Sequence, residues 1–411
     1  MRSKRGKYWL LAAVACVLAA WRLLVNPAAA PTAAAAGSDQ HDQRGAGLAF
    51  FSATADATAA PAALIAAARS ARQRALTEQL QLVDKTYCDY RHATRYPDAS
   101  RPASEQSDQL YPNLPVTDSH AMRMPGGRSD PAVQVQTSQS RVFLVAGEAV
   151  AFSLRAIDAD GKALALVIQR AVAQGMTYQG QRATSQVALA FADDGAGVDA
   201  VAGDGAFAGL LAPAQTGLAS FAGTIRTEIG YTAGAKSGFV LFDVVYTPEV
   251  PALWSGLARE VIEASSLVYY LKAEVRQAGR YIVTGRVDDA AGKPVALVTF
   301  NDVLQSGPND IKLTVFGKLL RDAQPAQPLS LRDVDGYLLK ENSDPDRALM
   351  PRLEGTVVRA REHRLTNFSD AEWQSEQRSR HLTEFARDIA LAKGALKAFD
   401  PALPVPASAC L

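Results

Sequence analysis

The sequence has few of the residues that build metal centres and nucleophilic active sites. Its 411 residues include three cysteines (Cys16, Cys88 and Cys410) and five histidines. No two cysteines have CxxC spacing and no cysteine–histidine group has zinc-site spacing, which excludes the common structural zinc modules. HExxH, GxSxG, SxxK and P-loop motifs are also absent from the sequence. A serine–histidine–aspartate triad could still assemble from distant residues, with His92 and His120 as first candidates.

The sequence also has no excess of charge of one sign. It carries 43 Lys and Arg against 42 Asp and Glu. A nucleic-acid-binding domain usually has a basic excess, so we expect no nucleic-acid partner. Hydrophobic residues make up 48% and charged residues 21%, which is enough to bury cores. The length predicts two or three domains.

One long apolar run is present, over residues 8–25, and four basic residues precede it: Arg2, Lys4, Arg5 and Lys7. This layout is typical of a signal peptide or a signal anchor, which we assign to residues 1–25. A retained anchor, cleavage in the Ala-rich stretch that follows, and a lipoprotein signal at Cys16 all stay open. The basic flank is expected to stay in the cytoplasm, which places the remaining chain in the periplasm or elsewhere in the bacterial cell envelope.

Between this segment and the first strands, the sequence predicts a tether, a helix and an extended arm. Residues 26–61 are rich in Ala, Pro, Thr and Gly and predict a flexible tether. Residues 62–131 predict a helix over 62–83, followed by an arm that is rich in proline and tyrosine over 87–113. Three tyrosines are its expected packing anchors: Tyr87, Tyr90 and Tyr96. The alternative is an aromatic surface that contacts a ligand.

From residue 132 the pattern changes to short strands separated by turn residues, which predicts a mainly β fold with two Ig-like β-sandwich domains in tandem. The first domain is assigned to residues 132–248 and the second to 249–345. Asp160-Gly161 predicts a hairpin in the first. Residues 254–266 predict a short helical linker between the two domains.

The C-terminal residues 346–411 predict a helical segment and a loose tail. The run Ser369-Asp370-Ala371-Glu372 has the pattern of a capping box, so the helix is expected to open there and to reach about residue 397. The tail from residue 400 is rich in proline, and we expect it to be loosely held.

Four aspartates interleaved with glycines form the most specific motif of the chain. Residues 191–207 read FADDGAGVDAVAGDGAF and contain Asp193, Asp194, Asp199 and Asp204. Carboxylates on a glycine-rich loop suit a hard cation, so these residues are a candidate calcium site. The spacing differs from that of an EF-hand, and the alternative is a structural loop whose carboxylates accept backbone amides in Asx-turns.

The same run carries a resemblance to a known family. DDGAGVDAVAGDGAF resembles the DDG…AGDG signature of bacterial exported Ig-like modules. The arm sequences TRYPDASRP and DQLYPN, and the later segment GRYIVTGRVDDAAGKPVALVTF, are similar to segments that accompany it. Together, over residues 87–340, they resemble the bacterial choice-of-anchor X family. The resemblance implies an anchored, envelope-exposed protein, and it supplies no catalytic residue.

Cys88 and Cys410 are the two cysteines of the predicted exported part. In an oxidising periplasm they could form a disulfide. The alternative is two unrelated thiols, one of them on the tail.

Three functions compete on this sequence. The first is an envelope-anchored, non-catalytic binding or scaffolding protein whose partner is an envelope protein or a glycan. The second is an exported hydrolase with its site in an inter-domain cleft near Trp254. The third is a sensor or assembly partner, which an exposed apolar stripe on the C-terminal helix would support. Apart from the candidate calcium, no cofactor is predicted.

Overall fold

A computed structural model describes residues 59–177, 184–408 and 410. The predicted signal segment and nearly all of the predicted tether lie outside these residues. Among the described residues, no helix combines the length and the apolar character needed to cross a bilayer. The chain divides into two compact units, residues 1–68 and 69–411. The second unit holds all the strands of the described residues and the C-terminal helix, and the predicted mainly β fold is confirmed.

The N-terminal helix is longer than the sequence pattern predicts. Helix α1 spans Ala59–Ala93, and strand β1 (Ser100–Pro102) follows it. The start of the predicted arm is therefore helical, because Tyr90 packs its ring edge-on against His381 and Phe385, with centroids 5.4 and 5.3 Å apart. Tyr87 and Tyr96 are buried, as predicted for packing anchors.

The first β-sandwich follows the arm. Its strands are β2 Val116–Met124, β3 Arg128–Gln139, β4 Phe143–Val145, β5 Val150–Ile157, β6 Ala163–Leu164, β7 Leu166–Gly175, β8 Val187–Ala188, β9 Phe191–Ala192, β10 Phe207–Leu211, β11 Gly223–Ala233 and β12 Lys236–Thr247. One sheet has the order β2-β3-β5-β10-β9, with β6 beside β5, and the other has the order β4-β12-β11-β7-β8. Strand β2 lies in the segment predicted as arm, so the sandwich begins before residue 132.

Alternating burial gives this sandwich its core. Along β11 every second residue is buried, which directs Ile225, Ile229 and Tyr231 to one face. Phe152 and Phe242 stack across the two sheets with centroids 4.7 Å apart. The hairpin predicted at Asp160-Gly161 joins β5 to β6, and the apolar faces of both sheets meet in one continuous core.

The second sandwich follows directly. Its elements are β13 Ala252–Glu263, β14 Ser266–Val275, β15 Gly279–Asp288, β16 Pro294–Leu304, β17 Gly307–Val315, helix α2 Gly317–Ala323, β18 Ser330–Leu339, β19 Arg347–Leu349 and β20 Leu353–Arg359. One sheet has the order β1-β16-β15-β18-β19, with β20 beside β18, and the other is β13-β14-β17. The arm strand β1 thus forms one edge of this sandwich.

Two assignments around this sandwich are corrected. The helical linker predicted over residues 254–266 is wrong, because β13 pairs with β14 through a tight turn at Ala264 and Ser265, both with positive φ. Tertiary pairing overrides the helical propensity of this segment. Residues 346–411, predicted as helical, begin with strands β19 and β20, both paired to β18.

The C-terminal helix α3 spans Glu376–Phe399 and begins later than predicted. Ser375 is its N-cap and accepts from the amide of Arg378, whereas Ser369 accepts from Ala371 in an isolated turn. The capping box at residues 369–372 is therefore wrong. Ile389 and Leu396 of α3 are buried against α1.

The predicted loose tail packs onto this helical pair. Leu403, Val405 and Cys410 lie against the same apolar cluster. The disulfide between Cys88 and Cys410 joins α1 to the tail, with the two Cα atoms 5.5 Å apart and a sequence separation of 322 residues. The pairing that the sequence left open is therefore formed, and it closes both sandwiches into one covalent loop.

Candidate functional site

The aspartate loop between β9 and β10 brings three of its four predicted ligands together. One carboxylate oxygen from each of Asp193, Asp199 and Asp204 lies within 4.8 Å of the others. Asp194 is outside this group, and its carboxylate accepts the amide of Ala196 at 3.0 Å. The three clustered carboxylates present oxygen atoms of the kind that calcium binds.

The same carboxylates also hold the loop itself. Asp193 accepts the amides of Gly203 at 2.7 Å and Gly205 at 3.0 Å, and Asp199 accepts the amide of Gly195 at 2.6 Å. Asx-type bonds, as in the structural alternative, are present as well: Asp194 accepts the amide of Ala196 at 3.0 Å and Asp204 accepts the amide of Ala206 at 2.9 Å. The loop geometry therefore needs no cation, and the calcium site stays a prediction.

Calcium binding has a direct thermal test. If the loop binds calcium, chelation lowers the melting temperature of the protein and calcium restores it, because a ligand at about 100 times its Kd stabilises by about 2.7 kcal/mol. We expect Asp199→Asn to abolish the calcium-dependent shift. Asp194→Asn, outside the carboxylate group, should retain it. A melting temperature that is indifferent to calcium in the unmodified protein assigns the loop a purely structural role.

A second site lies where the arm and the two sandwiches meet. It is a cleft of about 420 Å³, within the range of small-ligand sites. The arm contributes residues 108–116, the first sandwich contributes Arg141 to Phe143, and the second contributes residues of β15 and β18. Three separate parts of the chain thus converge on one concave surface.

Arg286 holds the arm over this cleft. Its side chain is buried and forms ion pairs with Asp288 at 2.8 Å and Asp333 at 3.0 Å. Its Nη1 donates to the carbonyl oxygen of Leu110 at 2.6 Å, and its guanidinium lies 4.7 Å from the ring centre of Tyr111. One cation therefore joins two carboxylates of the second sandwich to the arm.

Two other arginines of the cleft are also paired. Arg141 forms ion pairs with Glu148 at 2.9 Å and Glu354 at 2.6 Å. Arg347 pairs with Asp346 at 2.7 Å and stacks over the rings of Phe143 and Tyr337. These two guanidiniums have their charge matched by the protein itself.

Asp335 and Arg352 differ from the other partly buried charged groups that line the cleft. Among the described residues, the Asp335 carboxylate has no hydrogen bond or ion pair, and the Arg352 guanidinium makes one hydrogen bond, from Nη1 to Asn113 Oδ1 at 3.0 Å. Asp108 also has no ion-pair partner there, but it is exposed to solvent. Burial raises the pKa of the Asp335 carboxyl, the charge of Arg352 opposes this, and the charge of Asp333 adds to it. Both groups keep partial exposure toward the cleft.

The histidines proposed for a catalytic triad lie elsewhere. His92 borders a different pocket, beside Arg95, and His120 on β2 has its Nδ1 3.0 Å from the Ala121 carbonyl oxygen. His363 lies 3.0 Å from Glu260. Burial opposes ionisation of Glu260, but hydrogen bonds from Arg361 and His363 outweigh it and lower the pKa of its carboxyl. The structure does not bring these histidines to one site.

No sequence motif singles out Arg286, Asp335 or Arg352. The only signal is the run Asp333-Val334-Asp335 inside a predicted strand, where polar residues alternate with a buried valine. Alternation predicts a shared face for the two carboxylates. The arm and Arg141, which help to complete the cleft, come from distant parts of the sequence, and Leu110 and Arg286 of the same cleft are 176 residues apart.

Comparisons with known proteins add little to this description. No family model matches the chain, and no curated protein matches it significantly. Among solved structures, a DUF4785 family protein from Legionella pneumophila matches 55% of this chain and 57% of its own length, at 11% identity and a TM-score of 0.37. The Yersinia pseudotuberculosis adhesin InvE matches 54% of this chain and 58% of its own length, at 9% identity and a TM-score of 0.16. The chain thus spans little more than half of either protein.

Proposed function

We propose that this chain is an exported, envelope-anchored, non-catalytic binding or scaffolding protein of the bacterial cell envelope, and that its ligand site is the cleft at the junction of the sandwiches. The observation that carries the proposal is the cleft itself, built from the arm and both sandwiches. Clefts between domains are frequent ligand sites, and sandwiches serve many functions as scaffolds. The envelope partner is a protein or a glycan.

The disulfide supports the exported part of this proposal. Cys88 and Cys410 are bonded, and disulfides persist in oxidising compartments such as the periplasm. Export is also expected from the basic and apolar N-terminal residues and from the resemblance to choice-of-anchor X proteins. The two sandwiches are consistent with the Ig-like modules of that family.

An exported hydrolase is the second candidate. Asp335, whose pKa burial raises, lies on the same strand as the ion-paired Asp333, and carboxyls in contrasting environments can act as acid and base. Among the described residues that line the cleft, however, none is a histidine. A binding role needs only the cleft and its charges, so we favour it.

The assembly-partner hypothesis receives less support from the C-terminal helix. Ile389, Ala392 and Leu396 of α3 are buried within the chain, which covers most of its apolar stripe. Leu391 is exposed. A lone exposed leucine is ordinary on a protein surface.

Site-specific photo-crosslinking in cells tests the proposed function. A photoreactive residue replaces Leu114, which lines the cleft and is 64% exposed. The matched control replaces Val167 on β7, which is 59% exposed and lies outside the cleft. We expect a discrete envelope protein or glycan to be captured at Leu114 only. Capture of the same species at both positions, or at neither, contradicts a ligand site in the cleft.

A further inference from the structure

Among the described residues, the charges of the cleft are matched by ion pairs except for Arg352, Asp335 and Asp108. Asp108 is exposed to solvent, so Arg352 and Asp335 are the two unpaired charges that are also partly buried. Arg141, Arg286 and Arg347 each have a carboxylate partner. Arg352 has no carboxylate within ion-pair distance among the described residues, and Asp335 likewise has no cation within that distance. Both line the same cleft, and each feels the charge of the other without forming a pair.

An unpaired charge in a partly desolvated cleft raises the free energy of the empty site. A charged group that loses water gains stability only when a partner of opposite charge or a set of hydrogen bonds replaces that water. Arg352 keeps guanidinium N–H groups with no protein acceptor among the described residues, and these suit a carboxylate in bidentate geometry. Asp335 offers a carboxylate that suits an ammonium group.

We propose that the cleft binds the zwitterionic head of an α-amino acid, with the ligand carboxylate on Arg352 and the ligand ammonium on Asp335. This inference rests on the proposed function, because it names the ligand class for the same cleft. A free amino acid carries this head group. An amino-acid unit on a larger envelope molecule carries it too, provided that its α-ammonium and α-carboxylate are both free.

A zwitterion fits the cleft better than an ion of one sign. A simple anion would satisfy Arg352 but would lie near the unpaired carboxylate of Asp335, which repels it. A simple cation would satisfy Asp335 and leave Arg352 without a partner. A sugar acid would satisfy Arg352, yet its hydroxyls would not neutralise the charge of Asp335. The amino-acid head matches both charges at once.

The walls of the cleft supply an apolar surface beside this pair. Leu110, Leu114 and Phe143 line the same cleft. The volume of about 420 Å³ holds a small organic ligand. We therefore expect an aliphatic side chain to be preferred, and leucine is the probe of choice.

Titration calorimetry on the full-length chain tests the proposal with three probes. Leucine carries both charges, N-acetyl-leucine lacks the ammonium and leucine methyl ester lacks the carboxylate. We expect leucine to bind and each blocked probe to bind about tenfold to a hundredfold more weakly, the usual cost of losing a charged hydrogen bond. Nε-acetyl-lysine, in which the side chain is amide-linked and both α-groups are free, tests a head group that is carried on a larger molecule.

Two variants assign the charges to their residues. Asp335→Asn should weaken the binding of leucine by the same factor. It should leave N-acetyl-leucine bound at least as tightly as before, because that probe has no ammonium for Asp335 and the variant removes a repelling carboxylate. Arg352→Gln should weaken the binding of leucine and leave the binding of the methyl ester unchanged. Arg387→Gln, on the exposed face of α3, is the matched control and should bind as the unmodified chain does. Melting curves establish that each variant is folded.

The proposal is overturned if leucine and both blocked probes bind equally, or if no amino acid binds. It is also overturned if glucuronate binds through Arg352 while leucine does not. Capture of a partner at Leu114 without amino-acid binding would leave the proposed function standing and remove only this ligand class.

Discussion

Replacement of Arg286 by methionine should lower the free energy of unfolding by about 3–5 kcal/mol, the usual cost of leaving a buried charge without its partner. Asp288 is buried and pairs with Arg286 at 2.8 Å, and Asp333 pairs with it at 3.0 Å. Methionine fills a similar volume but leaves both carboxylates without that cation. The hydrogen bond to the Leu110 carbonyl is also lost, so the arm should loosen. Urea denaturation followed by fluorescence measures the change.

An exposed pair of the same geometry provides the control. Arg226 bonds both oxygens of Asp243, at 2.8 and 2.7 Å, but the two side chains are 35% and 46% exposed. Arg226→Met should therefore cost at most about 1 kcal/mol. Adding Asp288→Asn to Arg286→Met should recover part of the loss, since it removes a buried carboxylate that has lost its nearer cation and keeps only Arg332, at 3.6 Å. Equal costs for Arg286→Met and Arg226→Met would contradict the role assigned to the buried pair.

Removal of the disulfide should have an effect of similar size. The double variant Cys88→Ser/Cys410→Ser should lose about 2–5 kcal/mol of stability, because the unfolded chain regains the entropy of an open loop. The loss should fall first on the helical pair, where Cys410 packs beside α1 and its carbonyl accepts from Arg91 at 2.5 Å. Denaturation midpoints with and without reductant measure it.

The remaining cysteine gives the matched control. Cys16→Ser should leave the midpoint and its response to reductant unchanged, since Cys88 and Cys410 pair with each other. In the double variant, reductant should have no further effect. A double variant as stable as the unmodified protein would show that the tail is held by packing alone.

The sequence predicts most of the β architecture, because apolar and polar residues alternate along strands that cover a core. The buried residues of β11 alternate along the strand, and β18 follows the same rule. The Asp160-Gly161 hairpin is equally local, since a turn of this type depends on its own residues. Tyr87 and Tyr96 were recognisable because large aromatic side chains near a sandwich usually pack.

The structural features that the sequence does not predict depend on contacts between residues that are far apart in the chain. Residues 254–266 have helical propensity, and only pairing with β14 makes them a strand. The run at residues 369–372 has the composition of a capping box, yet Ser375 caps the helix because the chain folds back before it. The cleft is the extreme case, since Asp335, Arg352 and the arm meet only after both sandwiches have formed.

The disulfide also determines how the molecule responds to mechanical load. With Cys88 bonded to Cys410, at a sequence separation of 322, tension applied between helix α1 and the C-terminal tail passes through two sulfur atoms and bypasses the residues between them. Those residues hold both sandwiches and would otherwise supply roughly 1,000 Å of extensible chain. When the oxidised protein is pulled at these two ends, the disulfide prevents extension. After reduction, both sandwiches can unfold under force and the chain between the two cysteines can extend.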